Sequence, residues 1–378
     1  MSHSHRSLLP LGPTAKEQTA RLRADLRMGL PIVINVADSE FGYLAAAVET
    51  LNPERLKALR VLGGQPWEIA ITARRVESQS ATQPLGGSAR RLRVPVDADL
   101  AWIKSAADPS VDLRKQQACS WEPILGSAQE GSGVHGAVVT LCKQSKLLPA
   151  AVVITLPHRK DVAQQFALHA VELGRLQESL STSSPFFLVS SAPLPLEVSK
   201  TGQVHVFRSF DGSEEHYAVE IGKPSPTGPV LTRLHSSCFT GDVAGSLKCD
   251  CGPQLNAALQ QIGEEGSGVV LYLNQEGRGI GLANKMRSYF LQAQGLDTVE
   301  SNHRLGFEDD ERDFQAGAAI LQLMGFTSVR LMTNNPRKIS MMNAGGIKVI
   351  ERVPIMVGEN PLNTEYLATK AKKCGHLL

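Results

Sequence analysis

Three cysteines fall within fourteen residues, Cys238, Cys249 and Cys251, in a C-x10-C-x-C arrangement. Zinc in proteins usually takes about four ligands in a tetrahedral site, so three thiolates leave one position for water. That open position is typical of a catalytic rather than a structural ion. The alternative is a set of ordinary buried thiols, but the third cysteine and the polar neighbourhood favour the metal. The sequence therefore predicts one catalytic zinc ion per chain.

The composition describes an ordinary globular chain. It has 378 residues, 42% of them hydrophobic and 20% charged, with a net charge of +2. The chain has no long basic run of the kind that predicts nucleic-acid binding, and it has no apolar stretch that approaches the roughly twenty residues that span a bilayer. The N-terminus lacks the pattern of a secretory signal. Six cysteines are too sparse for a disulfide scaffold. Together, these features predict a cytoplasmic protein with no membrane and no nucleic-acid partner.

Helical and strand patterns interleave along the whole chain, which predicts an α/β (α+β) fold. We expect two domains, each a mixed β-sheet with surrounding helices. The predicted division is a flexible tail at 1–18, a first domain at 19–180, a Ser- and Pro-rich linker at 181–195 and a second domain at 196–378. In the second half the predicted strands are 228–235, 268–273 and 329–332, and the predicted helices are 254–265, 285–294 and 314–324. A polar loop is expected at 297–313.

Polar segments follow several of these strands. The glycine-rich run 276–281 would let a backbone approach phosphate, with Arg278 as a bidentate cation, although a glycine turn bracing a helix has the same composition. The turn 333–338 combines hydroxyl, amide and cation, or merely ends a strand. The acidic run 309–313, preceded by His303, suits proton removal near an anion, or is a solvated helix start. Taken together with the metal, these groups favour hydrolysis of a nucleotide.

The second half, from about 196 to 378, resembles GTP cyclohydrolase II, the first committed enzyme of riboflavin biosynthesis. The resemblance rests on several motifs in order: Arg233-Leu-His-Ser-Ser-Cys, Cys249-Asp-Cys-Gly, Asn274-Gln-Glu-Gly-Arg-Gly-Ile-Gly-Leu, Asp297-Thr-Val-Glu-Ser-Asn, Asp310-Glu-Arg-Asp-Phe and Thr333-Asn-Asn-Pro-Arg-Lys. It implies zinc-dependent hydrolysis of GTP, in which water at the metal attacks C8 and the imidazole ring opens. Formate and pyrophosphate leave, giving 2,5-diamino-6-(5-phospho-ribosylamino)pyrimidin-4(3H)-one.

The resemblance also implies roles for individual residues. It places zinc on the three cysteines, Mg²⁺ with the triphosphate of GTP, and two chains in a homodimer. Asp310 is implied as proton acceptor, Arg312 as nucleophile toward the α-phosphate, and Tyr289 as a hydrogen-bonding or proton-relaying phenol. An arginine stays protonated at neutral pH, so we expect Arg312 to act more as a clamp for phosphoryl charge. The implied GTP contacts are Arg233, Leu234, His235, Ser236, Ser237, Gln254, Glu276, Gly277, Arg278, Thr298, Thr333 and Lys338.

Two positions depart from the family pattern. Ser237 stands where Glu or Gln is usual, and Asn274 where Arg is common. We expect altered affinity or rate rather than loss of activity. A non-catalytic GTP-binding or regulatory homologue is the alternative that these departures favour. A zinc-ribbon interaction module is a further alternative, but it would need a fourth ligand closing the site.

The first half more faintly resembles 3,4-dihydroxy-2-butanone 4-phosphate synthase, through segments 29–40, 106–109 and 133–152. The synthase needs an acid-rich strand end to hold magnesium and to remove protons from a sugar phosphate. Here small and hydrophobic residues occupy most of that segment, and Asp38, Glu40 and His135 are the remaining candidates. The sequence therefore predicts a degenerate domain without synthase activity that acts as a folded or dimer-stabilising partner.

Overall fold

The structure is a computed structural model that describes residues 12–62, 66–78, 89–110, 133–156 and 159–364, together with 367, 368, 371, 372, 375 and 377. Two mixed β-sheets with surrounding helices make up this part of the chain, as the sequence predicts. No helix within it is both long enough and apolar enough to cross a membrane. Residues 1–11 of the predicted flexible tail lie outside the described residues. The rest of that tail includes the start of a helix at Ala15.

The first sheet has six strands in the order β4-β3-β5-β2-β1-β6. Its strands are β1 (Ile32–Asn35), β2 (Gly42–Ala47), β3 (Glu68–Thr72), β4 (Ala89–Arg93), β5 (Ala150–Leu156) and β6 (Ala170–Glu172). Only the β1–β6 pair among them is parallel. Its helices are α1 (Ala15–Arg27), α2 (Pro53–Leu62), α3 (Ala73–Glu77), α4 (Leu100–Ala107), α5 (Val134–Gln144), α6 (Arg159–Gln165) and α7 (Leu173–Ser181). Helix α1 starts at a capping box in which Thr14 and Glu17 satisfy each other's backbone N–H groups.

The second sheet has seven strands in the order β13-β12-β10-β11-β9-β8-β7. They are β7 (Phe186–Pro193), β8 (Gln203–Ser209), β9 (His216–Ile221), β10 (Val230–Ser236), β11 (Gly268–Leu273), β12 (Ser328–Met332) and β13 (Lys348–Val353). Strands β10, β11, β12 and β13 are parallel to their neighbours within this group, and β7, β8 and β9 are antiparallel. The helices are α8 (Cys251–Glu265), α9 (Leu282–Gln292), α10 (Thr298–Arg304), α11 (Gln315–Leu323) and α12 (Pro336–Ala344).

Element positions differ from expectation in three places. The stretch 181–195, predicted as a linker, contains β7, an edge strand of the second sheet. The polar segment 297–313 is not all loop, because Asp297 and Glu300 form a second capping box that starts α10. The turn 333–338 already contains the start of α12, where Asn335 caps the helix and Pro336 is its first residue. In the last two cases local capping, rather than hydrophobic periodicity, starts the helix.

The two halves share one hydrophobic core on one face of the first sheet. Buried residues of β2, β3, β5 and α4 pack together with four buried residues of the second half, Ile280, Leu291, Leu305 and Phe307. Ion pairs surround this contact, such as Arg287 with Glu49 at 3.1 Å and Lys143 with Glu311 at 2.6 Å. Some of the segments that contact the first half carry the predicted glycine loop and acidic run.

Candidate active site and metal centre

The predicted site residues meet at the carboxyl edge of three neighbouring parallel strands. Strands β10 and β11 pair in register from Thr232–Val269 to Ser236–Leu273, and β12 lies on the other side of β10. Each strand is followed at once by a predicted polar segment. Open α/β sheets gather functional groups at this edge because the loops after parallel strands converge there. A pocket lies at this edge, and the segments after all three strands line it.

The three predicted zinc ligands lie together at one end of this pocket. The sulfur atoms of Cys238, Cys249 and Cys251 are all within 4.8 Å of one another, and the first two are 3.7 Å apart. A tetrahedral zinc with Zn–S bonds of about 2.3 Å separates its sulfurs by roughly 3.8 Å, whereas a disulfide holds them about 2 Å apart. The donor set and its spacing therefore fit zinc. Among the described residues, no fourth His, Cys, Asp or Glu joins the group.

Local backbone shape creates the space between these sulfurs. Cys238 precedes a single π-helical turn, Phe239–Val243, and Cys251 is the first residue of α8. Gly241 lies between them, and a Cβ atom on it would be 2.8 Å from the sulfur of Cys249 and 3.2 Å from that of Cys238. Any larger residue at Gly241 would thus occupy the thiol cluster itself.

Hydrogen bonds and a nearby cation favour the thiolate form of Cys238. Hydrogen bonding with the Cys249 and Cys251 thiols brings the pKa of Cys238 far below its usual range. Lys285 contributes as well, since its Nζ lies 3.1 Å from this sulfur. The same Nζ donates to Glu276 Oε1 at 2.9 Å and to Thr240 at 2.8 Å. Burial alone would lower the pKa of Lys285, but these anionic neighbours raise it, so the lysine stays charged beside the metal ligands.

Asp242 holds the β10 segment and the cysteine turn in place. Its carboxylate accepts hydrogen bonds from the Cys238 backbone N–H and the Tyr272 hydroxyl, both at 2.9 Å, and contacts His235 Nε2 at 3.0 Å. The His235 ring stacks on Tyr272. Burial lowers the pKa of His235 despite the opposing effect of Asp242. Its Nδ1 is buried and finds no hydrogen-bond partner within the part of the chain that the structure describes.

Two fully enclosed cations lie deeper in the pocket. Arg233 donates to Gln254 Oε1 at 2.6 Å and to the Met332 carbonyl at 2.9 Å, and burial lowers its pKa to about 10. Lys338 donates to the Leu234 carbonyl at 2.7 Å, and burial together with the nearby Arg233 and Arg312 brings its pKa well below the usual value. Cations crowded in this way gain stability when a polyanion binds between them.

Arg312 and Asp310 form a paired clamp. The guanidinium donates to both carboxylate oxygens of Asp310, at 2.8 and 2.6 Å, and lies 4.7 Å over the Phe314 ring. Burial would raise the pKa of Asp310, but the hydrogen bonds and charge of Arg312 outweigh burial and lower it. Asp310 is therefore ionised, and its position fixes the direction in which Arg312 faces the pocket.

The glycine loop packs against this clamp. Gly277 and Arg278 both adopt left-handed backbone conformations, with φ near 60°. A Cβ on Gly279 would lie 2.7 Å from the backbone of Glu311, and the Arg278 carbonyl accepts the Glu311 N–H at 2.9 Å. Close backbone contact between the two loops requires glycine here.

The structure brings nearly all predicted site residues to the pocket. Those that line it are the three cysteines, Arg312, Tyr289 and eleven of the implied GTP contacts, namely Arg233, His235, Ser236, Ser237, Gln254, Glu276, Gly277, Arg278, Thr298, Thr333 and Lys338. Leu234 does not line it, because its side chain points into the core of the second sheet. Asp310 acts on the pocket through Arg312. Glu276 is engaged by Lys285 and by the Phe239 and Gly277 backbone N–H groups, so it also shapes the loop.

Sequence reasoning missed one whole face of the pocket. Lys285, Ser288 and Gln292 line it together with Tyr289. They lie on α9 at intervals of three and four residues, which is the spacing of one helical face. A polar stripe on a helix that directly follows the glycine loop was the signal that could have identified them.

The structure also shows where Ser237 and Asn274 lie, and where the first-half candidates Asp38, Glu40 and His135 lie. Asn274 donates to the Glu215 carbonyl at 2.6 Å, so it supports the loop from outside the pocket. Ser237 lines the pocket beside Cys238. In the first half, Asp38 and Glu40 are exposed, and His135 pairs with Glu68 at 2.8 Å.

The chain is similar to known proteins along most of its length. The profile of the family "GTP cyclohydrolase II" matches residues 188–354. A GTP cyclohydrolase-2 of Azospirillum brasilense is 38% identical over 377 residues, covering 98% of this chain and 96% of that protein. A GTP cyclohydrolase-2 of Proteus mirabilis is 57% identical over 172 residues, covering 46% of this chain and 86% of that protein. Among solved structures, the two-domain 3,4-dihydroxy-2-butanone 4-phosphate synthase RibBX of A. baumannii is 15% identical with a TM-score of 0.32, covering 90% of this chain and 99% of that one.

Proposed function

The chain belongs to the GTP cyclohydrolase II family, enzymes that hydrolyse GTP in riboflavin biosynthesis, and we propose that it is zinc-dependent and opens the guanine imidazole ring. The proposed products are formate, pyrophosphate and 2,5-diamino-6-(5-phospho-ribosylamino)pyrimidin-4(3H)-one. One water adds at C8 and opens the ring to a formamide, a second releases formate, and a third cleaves pyrophosphate from the α-phosphate. The observation that carries the proposal is that the three thiols line the same pocket as Arg233, Arg278, Arg312 and Lys338.

Cys238, Cys249 and Cys251 would hold the zinc ion, which would supply a Lewis acid that lowers the pKa of water. Lys285 supports the thiolate of Cys238 and keeps Glu276 in place. Asp242 fixes the turn that carries Cys238 through the backbone N–H. These residues would hold the metal ligands in the pocket that Arg233, Arg278, Arg312 and Lys338 also line.

The cations are proposed to bind the triphosphate, with Mg²⁺ as its counterion. Arg312 is aimed by both oxygens of Asp310 and would clamp the α-phosphate as negative charge develops there. Arg278 and Lys338 line the same pocket and would share that charge. We assign Arg312 an electrostatic role, because a guanidinium held by a carboxylate is a strong donor and a poor nucleophile.

Tyr289 is proposed to donate a hydrogen bond or relay a proton during ring hydrolysis. It lines the pocket from α9, and the Nζ of Lys248 lies 4.5 Å from its ring centroid. A homodimer in the cytoplasm and a first half that lacks synthase activity are part of the same proposal. The pairing of His135 with Glu68, away from the exposed Asp38 and Glu40, supports that last assignment.

The test is to supply purified protein with GTP, zinc and Mg²⁺ and to follow formate, pyrophosphate and the pyrimidine. We expect all three from the wild type. Asp310→Asn should lower turnover about tenfold or more, because Arg312 loses its charged partner. Full turnover by this variant would refute the clamp. GTP binding without formate release would instead identify a non-catalytic homologue.

A further inference from the structure

A second pocket lies between the two halves of the chain. We call it the inter-half pocket; it is bounded by α1 and the end of α5 on one side and by residues 209–216 and Gln275 on the other. Arg23 of α1 crosses the boundary and pairs with Asp211 at 2.8 Å. The pocket therefore exists only where both halves are present.

Several side chains lining this pocket have polar atoms that are buried without a hydrogen-bond partner in the described residues. These atoms are Arg23 Nε, Ser184 Oγ, Ser209 Oγ and Gln275 Oε1, the last belonging to a residue that also lines the active-site pocket. Arg23 is 9% exposed and Ser209 only 3%. A buried polar group without a partner costs about 1–3 kcal/mol, so the arrangement is complete only with a bound partner. Arg23 and the two serines can donate, which indicates a ligand rich in acceptor oxygens, whereas Gln275 Oε1 can only accept.

The charges point the same way. Four cations line the pocket, Lys16, Arg23, Arg27 and Lys146, against three carboxylates, Asp211, Glu214 and Asp313. Burial lowers the pKa of Lys146, and repulsion by Arg23 and Arg27 lowers it further, although Glu214 opposes this. An anion among these cations would relieve the repulsion. A phosphate monoester offers several terminal oxygens and about two charges near neutral pH, which matches one guanidinium, one ammonium and two hydroxyls better than a carboxylate does.

A hydrogen bond from a lining residue connects the inter-half pocket to the glycine loop. Lys146 donates from Nζ to the Gly279 carbonyl at 2.9 Å, and its own carbonyl accepts from Asn284 at 3.0 Å. Its backbone is held at a φ of 60°, which is unusual for a residue other than glycine. Gly279 follows Arg278 and contacts the backbone of the Asp310–Arg312 segment. A ligand that attracts the Lys146 ammonium would weaken the support of this loop.

Relatives of different length suggest why such a site would exist. The 172 matched residues make up 86% of the Proteus mirabilis protein, which leaves that protein no room for the first half of this chain. The catalytic pocket is formed by the second half, so the first half is an addition to it. Regulation is a role that an added half can take without entering the chemistry.

We propose that the inter-half pocket binds a phosphate monoester and that occupancy lowers turnover by drawing Lys146 away from Gly279. The binding site stands on the geometry alone, whereas its effect on turnover rests on the proposed function.

Binding is tested on the full-length zinc protein, with a non-hydrolysable GTP analogue filling the active site. Glycerol 3-phosphate is titrated by calorimetry. Arg23→Gln should weaken its binding at least about tenfold, since a charge-assisted hydrogen bond is lost. Ser209→Ala should weaken it by a smaller factor. Arg175→Gln removes the same charge from an exposed position on α7 and should change nothing. Absence of binding to the wild type, or equal binding by Arg23→Gln, would overturn the site.

The effect on turnover is measured by formate release from GTP. Glycerol 3-phosphate should lower it in the wild type and in Arg175→Gln, but not in Arg23→Gln, each protein being compared with its own rate without the ligand. Binding that leaves formate release unaffected would overturn the coupling through Lys146. A protein that binds glycerol 3-phosphate but releases no formate under any condition would refute the proposed function and leave the site standing.

Discussion

At the scale of single residues, the proposed metal centre depends on the absence of a side chain at Gly241 as much as on the three thiols. Gly241 has no side chain, and a Cβ atom at this position would lie only 2.8 Å from the Cys249 sulfur. The Cys238 and Cys249 sulfurs already lie at the spacing that zinc requires. The proposed centre would therefore need little reorganisation to take an ion, which favours tight binding.

This predicts that Gly241→Ala lowers zinc content. The added methyl would push the sulfurs apart, so zinc should fall from about one ion per chain to well under half of that after dialysis against a chelator. Elemental analysis measures it. Gly228→Ala is the matched control, because nothing lies within 4 Å of a Cβ at that position. Equal zinc in both variants would contradict the proposed geometry.

At the scale of elements, two loops from different strands fix each other. The glycine loop after β11 contacts the acidic segment before α11 through backbone atoms at Gly279 and Glu311, and the Arg278 side chain also donates to the Asp309 carbonyl at 3.2 Å. The backbone contact at Gly279 transmits small displacements directly, since no side chain lies between the two loops at that point. Misplacement of a catalytic group by about 1 Å can lower a rate on the order of a hundredfold.

Gly279→Ala should therefore lower formate release about tenfold to a hundredfold while zinc content stays unchanged. The reason is that its Cβ would lie 3.1 Å from the Arg312 backbone nitrogen and closer still to Glu311. Gly295→Ala is a close control, because Gly295 has a similar positive φ of 99° but open space around its Cβ. If the two variants lose equal activity, backbone strain rather than displacement of Arg312 explains the loss.

At the scale of the whole molecule, the two halves are expected to unfold together. Phe307 of the second half is fully buried in the core of the first sheet. All three tryptophans, Trp67, Trp102 and Trp121, belong to the first half, so their fluorescence reports on that half alone. Zinc release reports on the other.

Phe307→Ala should destabilise both halves by about 3–5 kcal/mol, the usual range for a buried phenylalanine. In urea titrations the tryptophan and zinc transitions should coincide in the wild type and shift together in the variant. Leu323→Ala, at a position 53% exposed, should have little effect. A variant that shifts zinc release but leaves the tryptophan transition in place would show that the halves unfold independently.

The ion pair between Arg23 and Asp211, which joins the two halves, predicts that the stability of the protein depends on pH. Burial would raise the pKa of Asp211, but Arg23 and hydrogen bonds with Ser213 outweigh it and bring the pKa to about 2. A carboxyl whose folded pKa is depressed adds stability above its unfolded value, near 4, and loses that contribution as pH falls toward 2. Asp211→Asn should thus be less stable than wild type by about 2 kcal/mol at pH 7, and the difference should shrink at pH 3. A difference that does not change between these pH values would contradict the assignment.

Local sequence is enough to identify the motifs of the second half on which the proposed chemistry rests. The cysteine segment, the glycine run and the turn at Thr333 each lie directly after or beside a strand. Local sequence suffices to identify such motifs. The strands β10, β11 and β12 were predictable because buried parallel strands are short apolar runs. Helices α10 and α12 were not, since side-chain caps start them inside polar segments.

How distant segments meet depends on the folded arrangement of the whole chain. It aims Arg312 through Asp310, places Lys285 against Cys238, and sends Leu234 into the core instead of the pocket. It also sets Lys146 of the first half against Gly279 of the second, a contact across 133 positions of sequence. No periodicity or motif encodes such pairs, because they depend on the order of strands in the sheets and on the packing of one half against the other.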